Sequence, residues 1–441
     1  MNVEQLLSAR QWKSRLLLWG AASAVGVAAV GFALLADFSQ ALLQRIIAHS
    51  PWWPCLLAPL GFFSIAWVTR RYFVGAEGSG IPQTIFALRA DSGEQGRRLL
   101  GLRVVIGRVL LAAVGLLCGG SIGREGPTVH VGAVITHLVA RWMPHGRAEA
   151  QRRTLVLAGG AAGVAAAFNT PLAGIVFAIE ELSRSFEERA SGTTLTAVVL
   201  AGVVALALTG DYTYFGQPGV APPHAMSLAM LALAVTCGLS GGLVSRVTLA
   251  STRRLPGILG TLRRERPAAF AGLCGCAVAL IGALCGGLTY GTGYAEARSI
   301  LEGHVHLSWY YAPARAAATL LSYLSGIPAG LLAPSLSVGA GLGQFMADRL
   351  GEDSAVPFAI LGMCGYLAGV TQAPLTSLVI VMEMTSEHAL VLPLMITAAV
   401  ATTISKLLTP PLYQTLADRY VAEPPRAPAP APDPPVSVPM E

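Results

Sequence analysis

Six stretches of the chain carry no charged side chain over lengths that suit a lipid bilayer: Leu16–Ala36, Thr154–Ile179, Ser191–Gly210, Val220–Ser245, Ala316–Ala347 and Ala355–Met382. A straight helix crosses the hydrocarbon core with about 20 apolar residues. No water is available there for backbone N–H and C=O groups, so such stretches must hydrogen-bond internally, as helices. Charged residues make up only 12% of the chain and hydrophobic ones 54%, whereas a soluble domain carries about 25% charged residues. The chain therefore reads as an all-α polytopic membrane protein, with the lipid bilayer as its main surroundings.

The first run follows Lys13 and Arg15. A signal peptide also starts this way, but this run is longer than the apolar part of one, and further spans follow it. Basic residues ahead of a first span predict that residues 1–15 are cytoplasmic. The net charge of +6 is spread over pairs such as Arg97-Arg98, Arg152-Arg153, Arg253-Arg254 and Arg263-Arg264. Nucleic-acid binding needs such charge gathered on a folded face, so that partner is excluded. The seven cysteines lie in or beside apolar stretches without zinc-type pairing, and Cys274-x-Cys276 reads as two packed thiols. Neither a metal site nor a disulfide framework is expected.

Glycine occurs 49 times and recurs inside the apolar runs. In membranes such glycines let helices pack closely or break where the backbone lines a cavity. The breaks are patterned. Gly123-Arg-Glu-Gly-Pro127-Thr-Val-His-Val-Gly132-Ala133 aligns with Gly330-Leu-Leu-Ala-Pro334-Ser-Leu-Ser-Val-Gly339-Ala340, 207 positions later. Asn169-Thr-Pro171-Leu172 with Glu180 aligns with Gln372-Ala-Pro374-Leu375 with Glu383, 203 positions later. Two matches in one order at nearly one offset predict a duplication, with halves at about 16–212 and 223–415. Duplicated transporters often insert their halves with inverted topology, so that the N-termini of broken helices meet near the midplane. Beyond the second half, 416–441 is Pro- and Ala-rich and reads as a disordered tail.

The sharpest local feature is Gly123-Arg124-Glu125-Gly126-Pro127. A charge at membrane depth costs about 2.5–3.5 kcal/mol on insertion scales and marks a functional site by default. A proline suits the first turn of a helix, so Glu125 is expected at a buried helix N-terminus, where anions are stabilised. The simple alternative, an ion pair with Arg124, is disfavoured because adjacent residues at a helix start point apart.

With Gly78-Ser79-Gly80-Ile81-Pro82 before it, Gly330-Leu331-Leu332-Ala333-Pro334 after it and Pro411-Leu412-Tyr413 near the end, this ordered set resembles the CLC family of chloride channels and chloride/proton antiporters over about Trp19 to Leu416. The resemblance implies a CLC-like fold of two inverted repeats with broken and tilted helices. It also implies a homodimer and a bacterial-type member without the large regulatory domains, placed in the inner (plasma) membrane. It implies an anion site made by Ser79, Tyr413 and the amides of Leu331 and Leu332, with Glu125 as the gating glutamate. In the family's antiporters the second of two glutamates after the next broken helix transfers protons internally, and its match is Glu181. Glu180 and Glu383 are then structural. Chloride and protons are the transported ions, with no cofactor and no further protein partner. Ser79 favours chloride over nitrate or fluoride by the same resemblance. Leu332 stands where the family's motif has phenylalanine, and Gln83 where many members are acidic.

Coupled exchange thus stands against a passive voltage- or pH-gated chloride channel on the same fold, with Glu181 as the discriminating residue. An intramembrane hydrolase would need a nucleophile with a convergent base or a His-Glu-x-x-His spacing. The eight histidines show no such pattern, and His130 and His137 read as packed side chains.

Overall fold

A computed structural model describes residues 9–89, 93–142, 148–182, 192–210, 214–219, 227–253, 255–352 and 354–422. These residues form nineteen α-helices, one π turn and one 3-10 turn, with two isolated β-bridges and no strand. Five helices are long and apolar enough to cross a membrane: Trp12–His49, Gly192–Thr209, Leu228–Thr252, Pro267–Leu284 and His388–Leu408. Their outer faces are leucine-rich and exposed, as at Leu228, Leu284 and Leu407, which is the pattern for a surface solvated by lipid.

Three of the six uncharged runs are broken rather than straight. Thr154–Ile179 stops at Phe168, turns through Asn169 at φ 55°, and restarts as the helix Pro171–Phe177. Ala355–Met382 does the same at Gln372, φ 62°, before Pro374–Thr385. The turn residue and the proline act together: a left-handed residue ends one helix and proline opens the next without needing a donor. Ala316–Ala347 breaks between Leu324 and Leu332, a loop rather than a helix end-to-end join.

Residues matched at the two offsets hold equivalent places. The helices Glu125–Ala140 and Ala148–Phe168 cross where a Cβ on Gly132 would lie 2.1 Å from the Gly159 carbonyl oxygen. Leu332–Leu350 and Ala355–Thr371 cross where a Cβ on Gly339 would lie 2.2 Å from the Gly362 oxygen. Only backbones without side chains reach this separation, and dispersion between close backbones replaces the hydrophobic drive that lipid removes.

Contacts between the halves are reciprocal. Gly123 N–H donates to the Gly330 carbonyl at 2.8 Å and Gly330 N–H returns the bond to Gly123 at 3.2 Å. Glu180 accepts the amides of Leu375 and Thr376 at 3.1 and 2.7 Å, while Glu383 accepts those of Leu172 and Ala173 at 3.1 and 2.8 Å. Each carboxylate thus caps the broken helix of the opposite half. Such exchange of identical roles is what a two-fold relation between units produces. Charge-assisted caps of this kind are worth about 1.5–3 kcal/mol when buried and less when half-exposed. Glu383→Ala is therefore expected to lower the melting temperature in detergent, by about 1–2 kcal/mol of stability. An unchanged melting curve would contradict the clamp.

The last helix, Leu412–Ala422, runs past residue 416, where the sequence places the start of the tail. Gln95 Nε2 donates to the Tyr420 carbonyl and Arg89 pairs with Asp418 at 2.6 Å, so this segment is docked on the first half. Residues 423–441 lie outside the described residues, as does Pro223, where the second half is expected to begin.

Candidate functional site

The two motif helices, Glu125–Ala140 and Leu332–Leu350, begin beside one another, because the glycines that precede them form the reciprocal Gly123–Gly330 bridge. A second, parallel bridge between Gly78 and Pro328 brings the Gly78-Ser79-Gly80 loop to the same place. Three loop-to-helix transitions from both halves therefore converge at one buried point.

Glu125 is the first residue of its helix and is fully buried. Its carboxylate does not pair with Arg124. Oε1 accepts the hydroxyl of Tyr294 at 2.7 Å, and Oε2 accepts the backbone N–H of Ala333 at 3.3 Å. Ala333 is the second residue of the Leu332 helix, so the carboxylate rests on the positive end of the opposite half's helix. The close fit requires glycine at 123, where a Cβ would lie 2.4 Å from Glu125 Oε2.

Arg124 turns the other way. Its Nη1 donates to the Ala33 carbonyl and to Asp37 Oδ1 at 3.0 and 2.9 Å, and its Nη2 to the Tyr214 hydroxyl at 2.7 Å. Its guanidinium carbon also lies 5.7 Å from the ring centroids of both Tyr214 and Tyr294. The pairing of adjacent charges that the sequence disfavours is thus replaced by a cation held among aromatic rings.

Ser79 sits two residues before the helix Ile81–Leu88, after which Pro82 continues the first turn. Gly80 is left-handed at φ 94°, and a Cβ there would lie 2.7 Å from Arg108 Nη1. Gly126 faces Ser79 so closely that a Cβ on it would stand 3.1 Å from the serine's own. The Ser79 backbone and Cβ are therefore packed against the start of the Glu125 helix. The serine hydroxyl is fully buried and has no hydrogen-bond partner in the structure.

Tyr413, the second residue of the last helix, is likewise fully buried with an unpartnered hydroxyl. It lies within electrostatic reach of both Glu125 and Glu181. Buried polar groups nearly always find partners, and these two hydroxyls have none among the described residues. Leu331 and Leu332, the N-cap and first residue of their helix, are buried there as well. The amide that reaches the carboxylate is that of Ala333, the residue after Leu332.

Glu181 is buried in the π turn Ala178–Leu182, and its Oε1 has no partner. A π turn carries an extra residue per turn and frequently marks a functional position. Gln414 Nε2 donates to the Glu181 carbonyl at 2.6 Å, tying this turn to the residue after Tyr413. No hydrogen bond joins Glu181 to Glu125, and Tyr413 lies near enough to both acids to feel their charge. His130 is buried and its Nε2 bonds the Leu99 carbonyl at 3.0 Å, a packed histidine. Gln83 uses its side-chain amide to hold the Gly75 and Glu77 carbonyls, a positioning role in which an acid would repel both acceptors.

Comparisons with known proteins point to one family. The family described as voltage gated chloride channel matches residues 60–406. The H(+)/Cl(-) exchange transporter ClcA of Cronobacter sakazakii is 32% identical over 448 residues, covering 96% of this chain and 93% of the relative. The ClcA of Citrobacter koseri is 33% identical over 386 residues, covering 83% and 78%. Among solved structures, a slow cyanobacterial Cl-/H+ antiporter superposes with a TM-score of 0.76 at 24% identity, covering 93% of this chain and 98% of that one. A CLC-type fluoride/proton antiporter superposes at 0.72 and 23% identity, covering 91% and 96%.

Proposed function

The chain belongs to the voltage-gated chloride channel (CLC) family, and from that premise we propose that it exchanges chloride for protons across the membrane. The observation that carries this reading is the Glu125 carboxylate resting on the Leu332 helix start, a place built for an anion. The relatives named H(+)/Cl(-) exchange transporter support coupled exchange over passive conduction, as does the presence of a buried acid at 181.

In this reading the anion's donors are the Ser79 and Tyr413 hydroxyls with amides at the start of the Leu332 helix. Neutral donors and helix-end dipoles attract a halide without the full cation that would trap it. Glu125 competes with chloride for the same field. Ionised, its carboxylate accepts the Ala333 amide and excludes the halide. Protonated, it loses its charge and most of its hold on that amide, and chloride takes its place. Proton binding to Glu125 thus admits chloride, and loss of that proton returns the carboxylate to the site, so the movement of one ion is linked to that of the other.

Glu181 passes protons between Glu125 and the cytoplasm, with Tyr413 in reach of both acids. This assignment places residues 1–15 and the Glu181 end of the molecule on the cytoplasmic side of a bacterial inner membrane. The protein works as a homodimer with one route per subunit. The exposed leucines Leu172, Leu195, Leu375 and Leu392, on and beside the segments that clamp the two halves together, are the apolar surface such a second copy would cover. Purified protein in vesicles supplies the test: an outward chloride gradient is expected to drive proton uptake against no proton gradient. Chloride flux without proton movement would leave the fold intact and make the protein a channel.

A further inference from the structure

We infer that Tyr294 is a latch on the gate: its hydroxyl holds the Glu125 carboxylate in the anion's place and thereby sets how often chloride gains entry. This rests on the reading of Glu125 as the gate. Tyr294 donates to Oε1 at 2.7 Å, shorter than the 3.3 Å bond from Ala333, so the side chain contributes the closer of the two contacts that seat the carboxylate. Hydrogen bonds to an ionised acceptor are about twice as strong as neutral ones. The bond therefore favours the charged, seated gate over the neutral, released one.

The fold holds this tyrosine in place from every side. Tyr294 opens the helix Tyr294–Leu301 directly after Gly293, which is left-handed at φ 88°. A Cβ on Gly293 would lie 2.5 Å from Arg315 Nη2, so no other residue fits. Arg315 is fully buried and donates to the carbonyls of Leu288, Tyr290 and Gly291, fixing the loop that delivers the ring. The ring stacks on Tyr214 with centroids 5.1 Å apart and lies 5.7 Å from the Phe215 centroid and from the Arg124 guanidinium carbon. Arg124, the neighbour of the gate, thus braces the latch from behind. Gly78-Ser79-Gly80-Ile81 occupies the matching position in the first half, where Arg108 holds the Gly75, Glu77 and Gly78 carbonyls. One half uses this loop to present a hydroxyl at residue 79; the other uses it to present one at residue 294.

Tyr294→Phe removes the hydroxyl and keeps the ring in its stack. The expected result is chloride binding about tenfold tighter by calorimetry in detergent, because the competing carboxylate is held less firmly. In vesicles the same variant passes chloride faster, with fewer protons moved per chloride. The same substitution on a Glu125→Ala background is expected to change neither reading relative to Glu125→Ala alone, because the latch has nothing to hold. A structural role for the hydroxyl would instead shift both backgrounds equally, and that outcome overturns the proposal. So does Tyr294→Phe matching the unmodified protein in affinity and stoichiometry. Glu125→Ala alone keeps the two claims separate: if it leaves proton coupling intact the gate itself is wrong, whereas if it uncouples while Tyr294→Phe has no effect, only the latch fails.

Discussion

Glu125→Ala in vesicles is expected to carry chloride with no accompanying proton movement, at any pH at which the protein is folded. The substitution removes a carboxylate that accepts the Ala333 amide and the Tyr294 hydroxyl, and with it the one titratable group seated on the Leu332 helix start. A halide then meets no internal competitor. Apparent chloride affinity should rise roughly tenfold or more, the size of one charge-assisted hydrogen bond of about 1.5–3 kcal/mol. Ala333 and Tyr294, the two hydrogen-bond partners of the carboxylate, remain. Glu125→Gln is the companion variant: it keeps the volume and mimics the protonated gate, so it should show the same loss of proton movement. Proton flux persisting in both variants would remove Glu125 from the mechanism. Proton flux lost together with chloride flux would mean that the carboxylate builds the site instead of competing for it.

Much of this arrangement is legible in the residues. Proline four positions after a glycine inside an apolar run leaves few choices beyond a helix start at membrane depth, which is where Glu125 lies. Asn169-Thr-Pro171 and Gln372-Ala-Pro374 break their runs because a left-handed residue followed by proline cannot continue a helix. Other features depend on tertiary approach and leave no mark at their own positions. Glu180 and Glu383 read only as structural, and nothing at their own positions says that each reaches the helix start of the other half. Which amide of the turn Leu331-Leu332-Ala333 faces the carboxylate depends on rotation within a single helical turn, finer than any motif specifies. Tyr294 escapes notice because its loop shares only the spaced glycines of Gly78-x-Gly80 with its counterpart, at an offset of 213 positions, unlike the 207 and 203 of the stronger matches. Gly80 and Gly293 each sit against a buried arginine, Arg108 and Arg315, whereas the residue that follows each glycine differs.

Glu181→Gln is expected to stop coupled proton movement while leaving chloride flux within about twofold of the unmodified protein, as for removal of a group that acts in only one of two linked processes. The side chain is buried in the π turn after Pro171–Phe177 with one carboxylate oxygen unpartnered. A buried acid without a cation or a full set of donors contributes nothing to stability in its charged form and is retained at a cost. Glutamine preserves its volume and replaces the titratable carboxyl with a neutral amide that cannot take up and release a proton, so the turn, its bond to Gln414 and the packing of Tyr413 should be undisturbed. The proposed anion donors, the Ser79 and Tyr413 hydroxyls and the amides at the start of the Leu332 helix, are also untouched, which is why chloride should still move. Glu180→Gln separates proximity from role: its carboxylate is engaged by the amides of Leu375 and Thr376, so it should lower stability while leaving the proton-to-chloride ratio unchanged. If Glu181→Gln still drives protons against a chloride gradient at the normal ratio, the relay runs elsewhere. If Glu180→Gln rather than Glu181→Gln abolishes it, the two acids have been assigned the wrong way round, and the reciprocal clamp becomes the proton route.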